Sequence, residues 1–429
     1  MHLTPGTGNF HCGSCLRDNH LIKALRRRGH EAVMVPLYLP LVTDDEPASA
    51  DAPLFAGGIN MYLQQKSRLF RNSPRWLDRL LDAPRLLQAA AKRAGMTRPE
   101  ELGEMTVESL LGTKGRQSKE WKRLLRWMRD TERPELVSLS NGLLNGLAPA
   151  IRRELQIPVV CSLQGEDSFL DSLPEPWKTK AWTLFSENSS EVSRYVATSE
   201  WYARQMRERL QISDEMVAVV HNGLDFAAYR PAEQQPAVPT IGFLARLIKG
   251  KGLDQLVEAF IVLKRQREFA TARLKLAGTK TDADDAFIEE QKCRLAEAGL
   301  TDAVTWHPNL NLREKVAFLQ SLSVLSVPAT YGEAFGLYVI EALACGVPVV
   351  EPDHAGLGEL VRATGGGLLC KPNDSESLAS RLAELLHNPA LAADLAKTGR
   401  DSVVQKFSAD AMAAGFERVI LKAVGSHSG

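Results

Sequence analysis

The chain has 429 residues, 52 of them Lys or Arg and 52 Asp or Glu, so its formal charge is zero; 44% are hydrophobic and 24% charged, an ordinary globular mix long enough for two or three domains. There is no overall basic surplus of the kind that marks a nucleic-acid binder. No apolar run reaches the roughly 18 residues that span a bilayer, and residues 1–10 lack the charged-then-apolar pattern of a secretory signal. Six cysteines are too sparse for a disulfide scaffold and point to a reducing cytoplasm.

In chain order, a short apolar segment, Met1 to Thr4, precedes a glycine turn, Pro5-Gly6-Thr7-Gly8-Asn9. A helical stretch follows and ends at Arg26-Arg27-Arg28-Gly29. Cations suit the negative end of a helix, and glycine suits the left-handed position just beyond it. Glu31 to Leu37 reads as the next strand, so strand, turn, helix and strand open a parallel sheet. Residues 62–130 interrupt this rhythm with a helical, basic insertion. From Leu63 to Arg129 there are 16 Lys or Arg against 7 Asp or Glu, with Trp76, Trp121 and Trp127 among them. Two readings fit it: an insertion that packs its tryptophans inward, or a peripheral contact with an anionic membrane that would bring a lipid-linked acceptor.

Strands resume at Glu135–Leu139, Pro158–Leu163, Tyr195–Thr198 and Val217–Val220. Residues 229–239, with Pro231, Pro236 and Pro239, read as a linker. Beyond it the candidate strands are Thr240–Leu244, Arg273–Ala277, Ala303–His307, Val324–Val327, Val347–Val350 and Gly367–Leu369, most of them separated by helical stretches. The pattern predicts an α/β chain of two doubly wound domains, 1–228 and 240–407. Their ligand is expected beyond the strand C-termini, in a cleft between them.

The most informative segment is Pro328 to Val350. Glu333 stands beside Gly332 at the end of a strand, Phe335-Gly336-Leu337 lead into a helix, and Glu341 follows Glu333 by eight residues, about two turns. Glycines at a helix start leave backbone N–H groups for an anion. Two carboxylates flanking such a nest suit a ligand with hydroxyls and phosphates, such as a nucleotide sugar; the bland reading makes Glu333 a helix cap and Glu341 a surface residue. In Phe243 to Gly252, Arg246 lies just past a strand and Lys251 just before a helix. Together they could clamp a diphosphate, Arg by its planar fork and Lys as a point charge; alone, such a pair is most often solvated. Gly6 and Gly8 do not complete a dinucleotide fingerprint, but Gly8 would let the backbone approach a phosphate.

Taken together, Phe243 to Glu258, the pair Glu333 and Glu341, and Ala344 to Val350 resemble the family-4 glycosyltransferases of GT-B type, the glycosyl transferases group 1. Gly29-His30, His221-Asn222-Gly223-Leu224-Asp225, Arg273–Gly278 and Asp374 to Leu386 fit the same pattern, and only about 43–130 falls outside it. The resemblance implies two Rossmann-like domains facing across a cleft, with a final helical stretch (408–429) returning to the first. It implies metal-free transfer of a sugar, with retention of configuration, from a nucleoside-diphosphate sugar to an acceptor the sequence does not identify: a glycan, a lipid or a small molecule. No cofactor is expected. Carried over, Arg246 and Lys251 bind the diphosphate, and Glu341 holds the ribose. Glu333 touches the donor sugar, Phe335, Gly336 and Leu337 offer backbone N–H groups, and Gly8 approaches the phosphate from the first domain. Where the family often has a histidine this chain has Gln164, so Gln164, Glu166, Asp167 and Asn222 become the expected contacts to donor sugar or acceptor. The first strand is also shorter than the family's, which suggests a clipped start or a weak sheet edge.

Other signals point elsewhere. Cys12-Gly13-Ser14-Cys15 could be a redox pair or half a zinc site, but packing explains it more simply. The D-x-D at Asp282 and Asp284 reads as helix capping rather than a metal site. A nucleotide-sugar epimerase of the same fold is a second functional reading, weakened by the lack of an extra acid–base pair, and a CxxC redox protein is a third.

Overall fold

The computed structural model describes residues 1–6, 13–39, 47–49, 53, 55 and 99–427. Gly8, Cys12, Trp76 and most of the basic insertion lie outside the described residues. The chain forms two compact units, Met1–Gly223 with Ala409–Gly429, and Leu224–Ser408.

The sheet of the first unit contains β1 (His2–Thr4), β2 (Met34–Pro36), β3 (Val137–Leu139), β4 (Val159–Leu163), β5 (Arg194–Ala197) and β6 (Val217–Val219). Their order is β2-β1-β3-β4-β5-β6, and every pairing is parallel. Parallel strands are covered on both faces, so they read as continuous apolar runs; all five residues of β4 are buried. The three-residue β1 is not an edge. Leu3 pairs with Val35 on one side and Leu139 on the other, which is how so short a strand holds its place.

The helix Gly13–Arg27 ends as its sequence predicts, with Gly29 in the left-handed region at φ 94°. The final helix, Ala409–Gly425, packs on it through Met412, Phe416 and Val419 against Leu21, Ala24 and Leu25, residues spaced three or four apart so that they share one helix face. In the described part of the insertion, Trp121 is fully buried and meets Tyr38 edge-on at 6.0 Å, and Trp127 packs on Phe55 at 5.0 Å. These two tryptophans face protein.

The second unit contains β7 (Thr240–Leu244), β8 (Arg273–Gly278), β9 (Val304–Pro308), β10 (Val324–Leu325), β11 (Val349–Pro352) and β12 (Gly367–Cys370). The order is β12-β11-β10-β7-β8-β9, again all parallel. The chain moves outward from β7 through β8 and β9, then returns to β10 on the other side of β7. The loops after β7 and β10 therefore diverge at a topological switch point, where open α/β sheets bind ligands. Residues 229–239 fall within this unit, with Tyr229 buried and most of 230–239 exposed.

Candidate active site

The loop after β7 carries Arg246 and Lys251; the loop after β10 carries Glu333. Glycine brings the two loops into contact. Gly252 has φ 75°, and a Cβ there would lie 1.8 Å from the carbonyl oxygen of Pro328. Thr330 donates its backbone N–H to the carbonyl of Gly250 at 3.0 Å. With the loops locked together, the Lys251 ammonium donates to Oε2 of Glu333. It also lies over the rings of Tyr331 at 5.1 Å and Tyr338 at 5.7 Å. Tyr331 donates to the same carboxylate oxygen at 3.3 Å. Burial alone would lower the pKa of Lys251, but the charge of Glu333 and the contacts with Tyr331 outweigh it and hold the group above the ordinary lysine value. Burial pushes the Tyr331 phenol up to about 12, so it keeps its proton.

The helix Leu337–Ala344 begins at Gly336, which takes φ 94°. Gly336, as the N-cap, makes no side-chain cap hydrogen bond; the first backbone N–H groups of a helix are the ones that can serve an anion. The Glu333 carboxylate is engaged by Lys251 and Tyr331. Glu341 is not a surface residue. It is only 6% exposed, and its Oε1 accepts from the Tyr229 hydroxyl at 2.8 Å and from Lys315 at 2.5 Å. Arg246 is half-exposed, and its Nη2 donates to Oδ1 of Asp284 at 3.1 Å. Asp284 in turn accepts from the N–H and hydroxyl of Thr281 at 2.7 and 2.9 Å, so the D-x-D acid closes a capping box. The structure thus pairs Lys251 with Glu333, while Glu341 pairs with Lys315 and Arg246 with Asp284.

In the first unit, a polar cluster occupies the C-terminal ends of the strands. Arg17 is fully buried. Its Nε donates to Oδ1 of Asn222 at 3.1 Å, its Nη2 to Ser162 at 3.1 Å and its Nη1 to Asp18. Asp18 accepts from Thr4 at 3.0 Å and from Ser140, and lies 3.3 Å from the His2 ring. Burial would raise the Asp18 pKa, but His2, Arg17 and the Ser140 hydroxyl outweigh it and hold it down at about 2. Asn222 donates Nδ2 to Oε1 of Gln164 at 3.4 Å. Glu166 accepts from the N–H groups of Gly142 and Gln164 at 2.7 and 2.8 Å and from the Tyr202 hydroxyl at 3.0 Å; burial raises its pKa. Asp167 accepts from Gln205, and burial raises its pKa too. Gln164 and Asn222 are brought together, whereas Glu166 and Asp167 are engaged by protein donors.

Sequence reading misses several of these groups. Glu351, an acid inside the apolar run Val349–Pro352, is fully buried and accepts from the Val327 N–H at 3.2 Å. Burial, and the charge of Glu333 behind it, push its pKa well up. Its signal is a carboxylate where a buried parallel strand should be apolar. Tyr338 is buried, its hydroxyl has no partner among the described residues, and it folds back over Gly336. Lys315, Tyr229 and the Arg17–Asp18 pair carry no motif. Cys15 is buried at the start of its helix. Among the described residues no group of three or more His, Cys, Asp or Glu could hold a metal ion, and no helix is long and apolar enough to cross a membrane.

Residues 227–402 match the family model of the glycosyl transferases group 1, and residues 17–223 match that of the glycosyl transferase 4-like domain. A D-inositol 3-phosphate glycosyltransferase of Nocardia farcinica is 31% identical over 210 residues, 46% of this chain and 46% of that protein; the chain spans about half the length of such curated relatives. Sucrose-phosphate synthase from Thermosynechococcus elongatus shares the fold with a TM-score of 0.73 at 17% identity, covering 99% of this chain and 98% of the other. HepE of Anabaena, solved with UDP and glucose, gives a TM-score of 0.69 at 15% identity and covers 98% of both chains.

Proposed function

The chain belongs to the glycosyl transferases group 1, and on that premise we propose that it moves a sugar from a nucleoside diphosphate to an acceptor hydroxyl, with retention of configuration and without a metal ion. The observation that carries this reading is the Lys251–Glu333 pair beside an uncapped helix start at the switch point of the second sheet. In the reaction, the bond from the sugar carbon to the diphosphate breaks while the acceptor oxygen bonds to the same carbon, and the acceptor's proton leaves with the diphosphate. Negative charge builds on the departing phosphate. Lys251 and the N–H groups of Gly336 and Leu337 are preorganised donors for that charge, worth most in a site shielded from water. Arg246 adds a screened cation to the diphosphate. Glu333 accepts from sugar hydroxyls, and Glu341, fixed by Tyr229 and Lys315, faces the ribose. The buried free thiols Cys161, Cys345 and Cys370 support a reducing compartment.

The test is turnover with a panel of UDP-, GDP- and ADP-sugars and simple acceptors. Release of nucleoside diphosphate, with a product of the donor's anomeric configuration by NMR, supports the proposal. An epimerised nucleotide sugar without diphosphate release would overturn it.

A further inference from the structure

We propose that the outer face of the helix Ser118–Trp127, with the wider turn Met128–Glu132 that continues it, docks on an anionic membrane surface through charge alone. This is a property of the first unit and is independent of the donor reading above. The apolar side of this helix is already used inside the protein, where Trp121, Leu124, Leu125 and Met128 are buried. Its only acid, Glu120, is buried with them and accepts from Arg123 at 3.1 Å. What faces outward is positive. Lys122, Arg126, Arg129 and Arg133 are all exposed and follow one another three or four positions apart, so they lie on one side, in a row about 16 Å long at the helical rise. Arg126 lies along the row, its Nε donating to the Lys122 carbonyl at 3.2 Å. Lys122, Arg126 and Arg133 have no carboxylate partner among the described residues. Arg129 shares Asp130 at 3.0 Å, and Glu132 is the other exposed acid beside the row. A merely solvated helix face mixes its signs, and like charges at i and i+4 destabilise a helix; negative charge on a partner removes that penalty. A cluster of cations on an amphipathic helix is suited to anionic lipid headgroups. Nucleic acid fits less well. The chain has no net positive charge to draw in a duplex, and Trp121 and Trp127, which could stack on single-stranded bases, pack on Tyr38 and Phe55 instead. With its apolar side occupied, the helix has nothing to insert among acyl chains, unlike interfacial helices that bury an apolar face. The contact is therefore electrostatic and reversed by salt.

The test is flotation of the full chain with vesicles of phosphatidylcholine alone, or of phosphatidylcholine with about one third phosphatidylglycerol, in about 0.1 M and about 0.5 M NaCl. Binding is expected only to the anionic vesicles and only at the lower salt. K122Q/R126Q is expected to weaken it about 25-fold, or about 5-fold for each cation removed. R265Q/R267Q removes two exposed cations from the second unit and is expected to bind as the wild type does. Thermal unfolding first verifies that both double variants are folded. Absence of binding to the anionic vesicles overturns the proposal, as does an undiminished affinity in K122Q/R126Q or an equal loss in R265Q/R267Q. Binding to phosphatidylcholine alone, or binding that survives the higher salt, contradicts a contact made by charge. A fluorescent DNA duplex or oligonucleotide held more tightly than the anionic vesicles, and released by K122Q/R126Q, would make the partner a nucleic acid and overturn the proposal too.

Discussion

The Lys251 ammonium donates to the Glu333 carboxylate, joining the loops that leave β7 and β10 in opposite directions. The pair keeps a cation charged in a buried place. Burial would lower the Lys251 pKa, and Glu333 and Tyr331 reverse that. Lys251→Met should cut turnover by about 10²–10³-fold, the usual cost of one preorganised donor to developing charge. Glu333→Gln should leave Lys251 with burial as its dominant influence, so donor affinity should acquire an alkaline limb below pH 10 that the wild type lacks. Initial rates and donor affinity between pH 6 and 10 check both expectations.

Arg246 should matter less. It is half-exposed and shared with Asp284, so solvent screens its field. Arg246→Met is expected to raise KM for the donor by about 10-fold or less with little change in kcat. A loss as large as that of Lys251→Met would mean that Arg246 leaves Asp284 for the leaving group.

Glu341 and Lys315 form a largely buried pair, 8% and 15% exposed at their side chains. Removing one partner of such a pair strands the other's charge, at a cost of about 3 kcal/mol. Glu341→Gln should therefore lower the urea midpoint of the second unit, and adding Lys315→Met should recover part of the loss. Independent, additive effects of the two changes would contradict the pairing.

Glu351 gives a pH signature. Its folded pKa is raised by burial and by Glu333, so the folded chain holds a proton that the unfolded chain releases above about pH 4.3. Stability from this group is complete below that value and falls as pH rises toward the folded pKa. Glu351→Gln should thus stabilise the protein relative to wild type at pH 8 but not at pH 4, as read from thermal midpoints. A variant equally destabilised at both values would show that the carboxyl is ionised in the fold.

Asp18 behaves in the opposite sense. Held at about 2, it contributes about 2 kcal/mol above the unfolded carboxylate range, lost as pH falls from about 4 to 2. Asp18→Asn should flatten acid denaturation over that window; urea midpoints from pH 5 to 2 show whether the slope disappears.

Much of this architecture is legible in the sequence because parallel strands and glycine turns leave local marks. Thr240–Leu244 is the observed strand, residue for residue, and Gly29 and Gly336 sit where left-handed backbone is needed. Lys251 lies beside Gly252, whose close approach to the Pro328 carbonyl brings the two loops together. What was hidden is what depends on distant partners. Arg17 and Asp18 look like surface charges on a helix; they are buried among distant partners, Ser162 and Asn222 at Arg17, 145 and 205 positions away, and Ser140 at Asp18, 122 positions away. Lys315 shows no pattern until its helix meets Glu341. Tyr229 lies in a proline-rich stretch that composition alone makes a linker, yet its ring is packed and its hydroxyl bonds to Glu341. β1 looks too short to matter until both neighbours are seen to pair with Leu3.

Calorimetric titration of the wild type and of Lys251→Met with the panel of nucleotide sugars tests the central claim most directly. The account predicts binding of one nucleotide sugar in the range of about 1 μM to 1 mM usual for enzyme substrates, with affinity for both it and its nucleoside diphosphate lost or much reduced in the variant. Equal affinity in both proteins, or none in the wild type, would contradict it.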